Sequence, residues 1–280
     1  MTNTNRPLFS IVTVVYNDAT NLEKTIQSII SQNFRNYEYI IIDGGSTDAT
    51  LQVIKKYQKY INYWSSEPDK GIYDAMNKGI AVADGDYLNF LNAGDSFREN
   101  QSLQIFADEV SGHFTLDVLY SKSARVGFGY EIFQGGPINE KRLHFGMPFC
   151  HQTVFFHSEL FSKYGNFDTK YRYAADYAWM LNYLHTKGNL NETKYLSKVL
   201  INYLDGGASF DKFKDTICEQ ELIALRFVDS SNYISLRLYY WIQRVKSQVL
   251  LLLDRSPLLN YYRRVKSSLI KYKEVKQSRC

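Results

Sequence analysis

The chain has 280 residues, 45% hydrophobic and 22% charged, which supplies one full core with appendages and excludes an intrinsically disordered chain. Three cysteines, Cys150, Cys218 and Cys280, stand far apart and outside any C-x-x-C pair, which excludes a disulfide scaffold and a structural zinc site. The net charge of +4 is uneven: residues 255–280 hold eight Lys or Arg against one acid, so the remainder is acidic by about three charges.

In chain order, the polar run Met1 to Pro7 carries no secretory leader, so the expected location is the cytosol. Ser10 to Tyr16 reads as a buried strand, Asn21 to Ser31 as a helix with Leu22, Ile26, Ile29 and Ile30 as its apolar positions, and Glu38 to Ile42 as a second strand. Together they make a β-α-β unit. Thr47 to Tyr60 is predicted as a helix, Ile61 to Ser65 as a strand, Gly71 to Val82 as a helix and Asp86 to Leu91 as a strand. This alternation predicts an α/β fold with a mostly parallel sheet flanked by helices. Beyond Asp95 the periodicity loosens. Leu103 to Val110 reads as a helix, Val118 to Tyr120 and Phe128 to Phe133 as strands, and Gly135-Gly136-Pro137 as a turn. Thr153 to Phe156 is a strand, Asp176 to Leu184 a helix and Val199 to Leu204 a last strand, with helices from Phe213 that break at Pro257. No uncharged apolar run reaches the roughly 18 to 20 residues that span a bilayer, since Arg244 and Lys246 interrupt the best one, so any membrane contact is peripheral. The 15% aromatic content suits sugar grooves or a membrane interface, with biased composition as the plain alternative.

Three apolar runs end in polar loops: Ser10 to Tyr16 at Asn17-Asp18, Tyr39 to Ile42 at Asp43 to Asp48, and Tyr87 to Leu91 at Asn92 to Asp95. Open parallel sheets bind ligands at the carboxyl edge of their strands, so acids and glycines gathered there describe a site for a polar, phosphate-bearing ligand with a metal.

Four blocks in order, Phe9 to Asn17, Ile42 to Asp48, Asp69 to Gly79 and Asn92 to Asp95, resemble family-2 inverting glycosyltransferases of the Rossmann-like GT-A fold. Ala175 to Trp179 follows at the expected distance, and the resemblance extends over residues 8 to 210. It implies a catalytic domain over 1–212 and a helical region over 213–280 that ends in a basic tail.

The implied nucleotide-sugar site takes in Thr13, Tyr16, Asn17, Asp43, Gly44, Lys70, Asp74, Asn77, Asn92, Ala93 and Gly94. Within it, Asp43 would accept the imide N–H of a uracil and Tyr16 would stack on the base. The local alternative for Asp43 to Asp48 is a plain strand-to-helix turn capped by Ser46 or Thr47. Lys70-Gly71 at a helix start suits a diphosphate, with Asp74 and Asn77 bordering it; Lys78 reads either way. Asn92 to Asp95 occupies the place of the family's D-x-D motif, where a carboxylate holds Mn²⁺ or Mg²⁺. Asn92 and Gly94 replace acids there, which leaves Asp95 as the metal ligand and implies weaker affinity, with a helix cap as its alternative.

Asp176 matches the family's general base, and Ala175 stands where a second acid is common. The resemblance brings His151 and Gln152 near the acceptor, although His151 equally suits donor phosphate or a structural role. Trp179 reads as a platform for an acceptor sugar or as a core residue. The loop Asp205 to Ser209 reads as a cover for the diphosphate or a simple turn. In the tail, Leu258 to Lys276 interleaves basic and aromatic residues, as an anionic membrane surface or a solvated helix would require, and no nucleic-acid motif accompanies it.

The function implied is inverting transfer of a sugar from a UDP-linked donor to a glycan hydroxyl in bacterial capsule, O-antigen or exopolysaccharide synthesis. The implied acceptor is linked to polyprenyl diphosphate at the cytoplasmic face of the inner membrane. Two alternatives stand beside it. A sugar nucleotidyltransferase needs a glycine-rich basic loop after the first strand, and Tyr16 to Thr20 has no Gly, Lys or Arg. A non-catalytic binding relative would have less reason to keep Asp43, Asp95 and Asp176 together.

Overall fold

The structure, a computed structural model, describes residues 6–253 apart from 112–115, 128, 188–189 and 206–212, with side chains through 248. Its first half is a run of strands and helices: β1 (Phe9–Val15), α1 (Ala19–Ile30), β2 (Tyr37–Asp43), α2 (Thr50–Tyr57), β3 (Tyr63–Ser66), α3 (Ile72–Val82) and β4 (Tyr87–Phe90). These four strands lie in the order β3-β2-β1-β4, all parallel. The second half comprises β5 (Ser96–Phe97), α4 (Ser102–Ser111), β6 (Val118–Gly127), β7 (Tyr130–Gln134), β8 (Val154–His157), α5 (Glu159–Tyr164), α6 (Ala175–Lys187), β9 (Thr193–Leu204), α7 (Phe213–Ala224) and α8 (Tyr233–Leu253). It extends the sheet through β8-β6-β9-β5, with β7 paired on β6. β8 runs antiparallel between β4 and β6, and β9 is parallel to β6.

All seven residues of β1 are buried, as a strand covered on both faces requires. Successive side chains alternate between two cores. Phe9, Ile11 and Val15 join Leu22, Ile26 and Ile29 of α1 and Ile54 of α2, whereas Val12 and Val14 join Met76 of α3 and Trp179 of α6. Each such side chain contributes roughly 1.5–3 kcal/mol by leaving water. Gly79 lets α3 press onto β1, because a Cβ there would meet Val12 Cγ1 at 2.5 Å.

Several boundaries differ from expectation. The second helix starts at Thr50 rather than Thr47, because the Asp48 carboxylate accepts the Thr50 N–H at 2.9 Å and leaves 44–48 as a loop. β6 continues to Gly127 and β9 begins at Thr193, because each supplies the other's ladder, with a register shift around Lys122. α5 was not expected at all. Phe128, the loop residues 206–209, Pro257 and the basic tail lie outside the described residues.

Candidate active site

The ends of β1, β2 and β4, the start of α3 and the starts of α6 and α7 surround a cleft of about 1210 Å³. Single small-molecule pockets occupy roughly 300–1,000 Å³, so this cleft lies just above that range.

One wall follows β1 and β2. Tyr16 is 64% exposed and lines the cleft with Gly44 and Gly45. Gly44 lies close under the Asp69 carboxylate, which a Cβ there would displace, and beside the Tyr16 ring. Asp43 itself is completely buried. Its Oδ2 accepts the Ser46 N–H at 3.0 Å and the Ser66 hydroxyl at 2.6 Å, and its Oδ1 accepts the Ser46 hydroxyl. These bonds tie Asp43 to the turn after β2 and to Ser66 of β3, and Asp69 is a carboxylate that lines the cleft here. Asn17, with φ of 50°, braces the same turn by accepting the Thr47 N–H at 2.8 Å. Thr13 is buried below, donating to the Leu91 carbonyl at 2.7 Å and accepting from Tyr39. Neither Thr13 nor Asn17 is part of the cleft wall.

At the start of α3, Lys70 and Gly71 line the cleft, and Gly71 has φ of 125° as the helix turns away. Asp74 and Asn77 do not border the ligand space as expected. Asp74 accepts the Lys70 N–H at 3.1 Å, a cap on the helix's first turn. Asn77 is engaged with the Phe167 backbone, donating at 2.9 Å and accepting at 3.0 Å. Lys78 pairs with Glu67 at 2.8 Å.

After β4 the chain makes a tight turn in which Asp95 N–H donates to the Asn92 carbonyl at 3.0 Å. Thr25 of α1 fastens this turn: its hydroxyl accepts from Gly94 N–H at 3.0 Å and donates to the Asp95 carbonyl at 2.7 Å. Asn92, Ala93 and Asp95 line the cleft; Gly94, with φ of 99°, faces Leu204. Asp95 is 4% exposed and accepts the Leu204 N–H at 3.0 Å. Burial pushes its carboxyl up to about 7, against the Leu204 N–H and a Gln152 side-chain hydrogen bond that both pull it down. Asn92 Oδ1 nearby is buried without a hydrogen-bond partner. A buried carboxylate and an orphaned amide oxygen are hard donors of the kind that divalent cations take, so these residues fit a cation. Among the described residues no cluster of three His, Cys, Asp or Glu exists, so most of its coordination must come from elsewhere.

The opposite wall is assembled from distant segments. A 3₁₀ turn, His151–Thr153, places His151 and Gln152 in the cleft. The His151 ring stacks on Phe90 with centroids 5.5 Å apart, and its Nε2 has no partner. Burial lowers its pKa, so it stays neutral around pH 7. Asp176, second residue of α6, lines the cleft; its Oδ1 accepts the Tyr73 hydroxyl and the Tyr177 N–H, each at 2.8 Å. Glu219 of α7 closes the approach to α6 by accepting the backbone N–H groups of Arg172, Tyr173 and Ala174 at 2.8–3.0 Å. The same helix adds Thr216 and Gln220 to the wall. Trp179 is corrected from sugar platform to core. It is 4% exposed, stacks on Tyr183 and donates its indole N–H to the Gly165 carbonyl at 2.6 Å.

Sequence reasoning missed Asp69, Tyr73, Glu219, Thr216 and Gln220. Asp69 and Tyr73 stand inside a recognised block, so closer attention to that block had a signal for them. The three α7 residues had none, because a polar face on a helix reads as solvated.

A parallel β-α-β core with acidic loops at its carboxyl edge, extended by a mixed second half that carries a carboxylate across the cleft, defines a GT-A type of glycosyltransferase. The family model described as glycosyl transferase family 2 matches residues 10–165, and the chain belongs to that family. An uncharacterized glycosyltransferase of Mycobacterium tuberculosis is 36% identical over 187 residues, covering 64% of this chain and 69% of that protein. A PGL/p-HBAD biosynthesis glycosyltransferase of Mycobacterium bovis is 30% identical over 235 residues, covering 83% and 88%. Among solved structures, Staphylococcus aureus TarS 1-349 superposes with a TM-score of 0.61 at 20% identity, covering 85% of this chain and 72% of that one. The mannosyltransferase PcManGT of Pyrobaculum calidifontis, in complex with GDP-Man and Mn²⁺, gives 0.60 at 15% identity, covering 98% and 87%. These likenesses show the fold. The protein is a glycosyltransferase, as family membership and these relatives show. No helix among the described residues is long and apolar enough to cross a membrane.

Proposed function

We propose that the enzyme transfers a sugar, with inversion, from a UDP-linked donor to a hydroxyl of a lipid-linked glycan, in a catalytic unit that takes in α7 beyond residue 212. The observation that carries this reading is the placement of Asp176, Lys70 and Asp95 around one cleft. Asp176 Oδ2 takes the proton of the acceptor hydroxyl as that oxygen bonds to the anomeric carbon. The bond from that carbon to the diphosphate breaks on the opposite side, and the nucleoside diphosphate leaves with the electron pair. One carboxylate is enough for a single displacement.

On the donor side, Tyr16 stacks on the base, the Gly44-Gly45 backbone and Asp69 approach the base and ribose, and Lys70 at the start of α3 faces the diphosphate. Asp95 and Asn92 would hold a divalent ion, Mn²⁺ or Mg²⁺, on the donor side. When bound, that ion neutralises charge on the leaving group. PcManGT, which binds GDP-Man with Mn²⁺, supports the metal, and the TarS structure in complex with UDP-GlcNAc supports a uridine donor.

On the acceptor side, His151, Gln152, Thr216 and Gln220 offer polar contacts to a glycan. Contact with an anionic membrane is supported by α8, which turns Ile234, Leu238, Trp241 and Val245 outward, each at least 40% exposed. The basic tail follows directly, and each of its cations near such a surface adds about 1 kcal/mol.

Calorimetric titration with UDP, with and without Mn²⁺, tests the donor site. The wild type is expected to bind in a metal-dependent way and Asp95→Ala to lose the metal effect. Absence of UDP binding under every condition would overturn the uridine assignment, and equal binding by Asp95→Ala would overturn the ligand role of Asp95.

A further inference from the structure

Tyr73 is the second residue of α3 and 7% exposed, with its ring against Phe167 at 5.6 Å. Its hydroxyl leaves its own helix and donates to Asp176 Oδ1 at 2.8 Å. The Tyr177 N–H donates to the same oxygen, also at 2.8 Å. Both hydrogen bonds therefore fall on Oδ1, and no donor among the described residues reaches Oδ2.

We propose that Tyr73 is the positioning residue for the base: its hydroxyl fixes the rotation of the Asp176 carboxylate so that Oδ2 is presented to the acceptor hydroxyl. The inference rests on Asp176 as the base. It adds a link between the two substrates, because Tyr73 stands three residues after Lys70, in the first turn of the helix whose start faces the donor. A donor seated against Lys70 and Gly71 steadies the turn that aims the base on the other wall.

A carboxylate with one free torsion spends part of its time misdirected, and holding one oxygen removes that freedom without occupying the reactive one. The groups around Asp176 are Tyr73 from α3, His151 from the 3₁₀ turn with Cys150 just before it, and Glu219 from α7. Burial raises the Cys150 thiol to about 12 and keeps His151 neutral, while burial and the Asp176 charge raise the Tyr73 phenol. Tyr73 thus remains a hydrogen-bond donor throughout the working pH range.

The plain alternative is a buried phenol that merely needs an acceptor. Tyr73→Phe keeps the ring against Phe167 and separates the two, measured on the full chain as UDP release to water from the UDP-sugar that the wild type turns over fastest. Positioning predicts a kcat reduced about 10-fold, a donor KM within about twofold, and an acid limb of the pH–rate profile moved to higher pH, because the carboxylate loses a donor that favours its charged form. Replacing Tyr73 by 3,5-difluorotyrosine, a stronger donor of nearly the same size, predicts an acid limb moved the opposite way. An unchanged pH profile in both variants, or a loss of kcat that follows a weakened UDP affinity, would overturn the proposal. Asp176→Asn run in parallel separates the two failures. Wild-type turnover by Asp176→Asn removes the base and the positioning together, whereas an inactive Asp176→Asn beside a wild-type Tyr73→Phe removes only the positioning.

Discussion

The two walls of the cleft are built in different ways. The donor wall comes from consecutive strand ends and the loops that follow them, within Val14 to Asp95, and its loops are held mainly from inside that stretch: Asp43 by Ser46 and Ser66, Thr47 by Asn17, Asp74 by Lys70, and the Asn92–Asp95 turn by Thr25 of α1. The acceptor wall draws on Gln134, His151, Asp176 and Gln220, and its central helix is closed by a carboxylate from another helix, Glu219. A wall held by local contacts keeps its form through the sequence of each loop. A wall assembled across the chain depends on its core, which here is aromatic: Trp179 touches Phe156, Phe161 and Tyr183 at centroid distances of 5.1–5.7 Å.

That contrast can be broken at either wall. Trp179→Ala removes the centre of the acceptor-side core and leaves the Gly165 carbonyl without its donor, so denaturant unfolding is expected to show a loss of about 3–5 kcal/mol. A variant of full stability with only a weakened acceptor KM would return Trp179 to the role of sugar platform. Thr25→Val keeps shape but removes the hydroxyl that fastens the turn after β4, leaving the Gly94 N–H unpaired. The expected cost is about 1–3 kcal/mol, together with weaker metal-dependent UDP binding. Unchanged UDP affinity in that variant would mean that the donor wall holds itself without α1.

The same contrast decides what the sequence disclosed. The first half was legible because burial on both faces makes a parallel strand a continuous apolar run, and because the loop chemistry that ends each run is contiguous with it, as in Ile40-Ile41-Ile42-Asp43. Reading the roles of those loop acids was harder. Asp43 and Asp74 carry the residue types a ligand site needs, but backbone N–H groups and serine hydroxyls nearby claim their oxygens first. Asp69 also gives one oxygen to a backbone N–H, that of Gly71 at 2.8 Å, yet it lines the cleft. In the second half, β6 and β9 were half recognised, since each is completed by pairing with a partner some 75 residues away in sequence. The place of Asp176 was legible from its motif, whereas its tether to Tyr73, 103 residues distant, required the fold.

Paired measurement of UDP affinity and of UDP release from a UDP-sugar, in the wild type and Asp176→Asn, tests most directly the claim that two substrates meet in this cleft with one carboxylate as base. UDP binding is expected within about twofold of wild type, because Asp176 is assigned to the acceptor and not to the nucleotide, and release is expected to be reduced by about 10²–10⁴-fold. Release at the wild-type rate, or loss of UDP binding along with it, would contradict that division of the cleft.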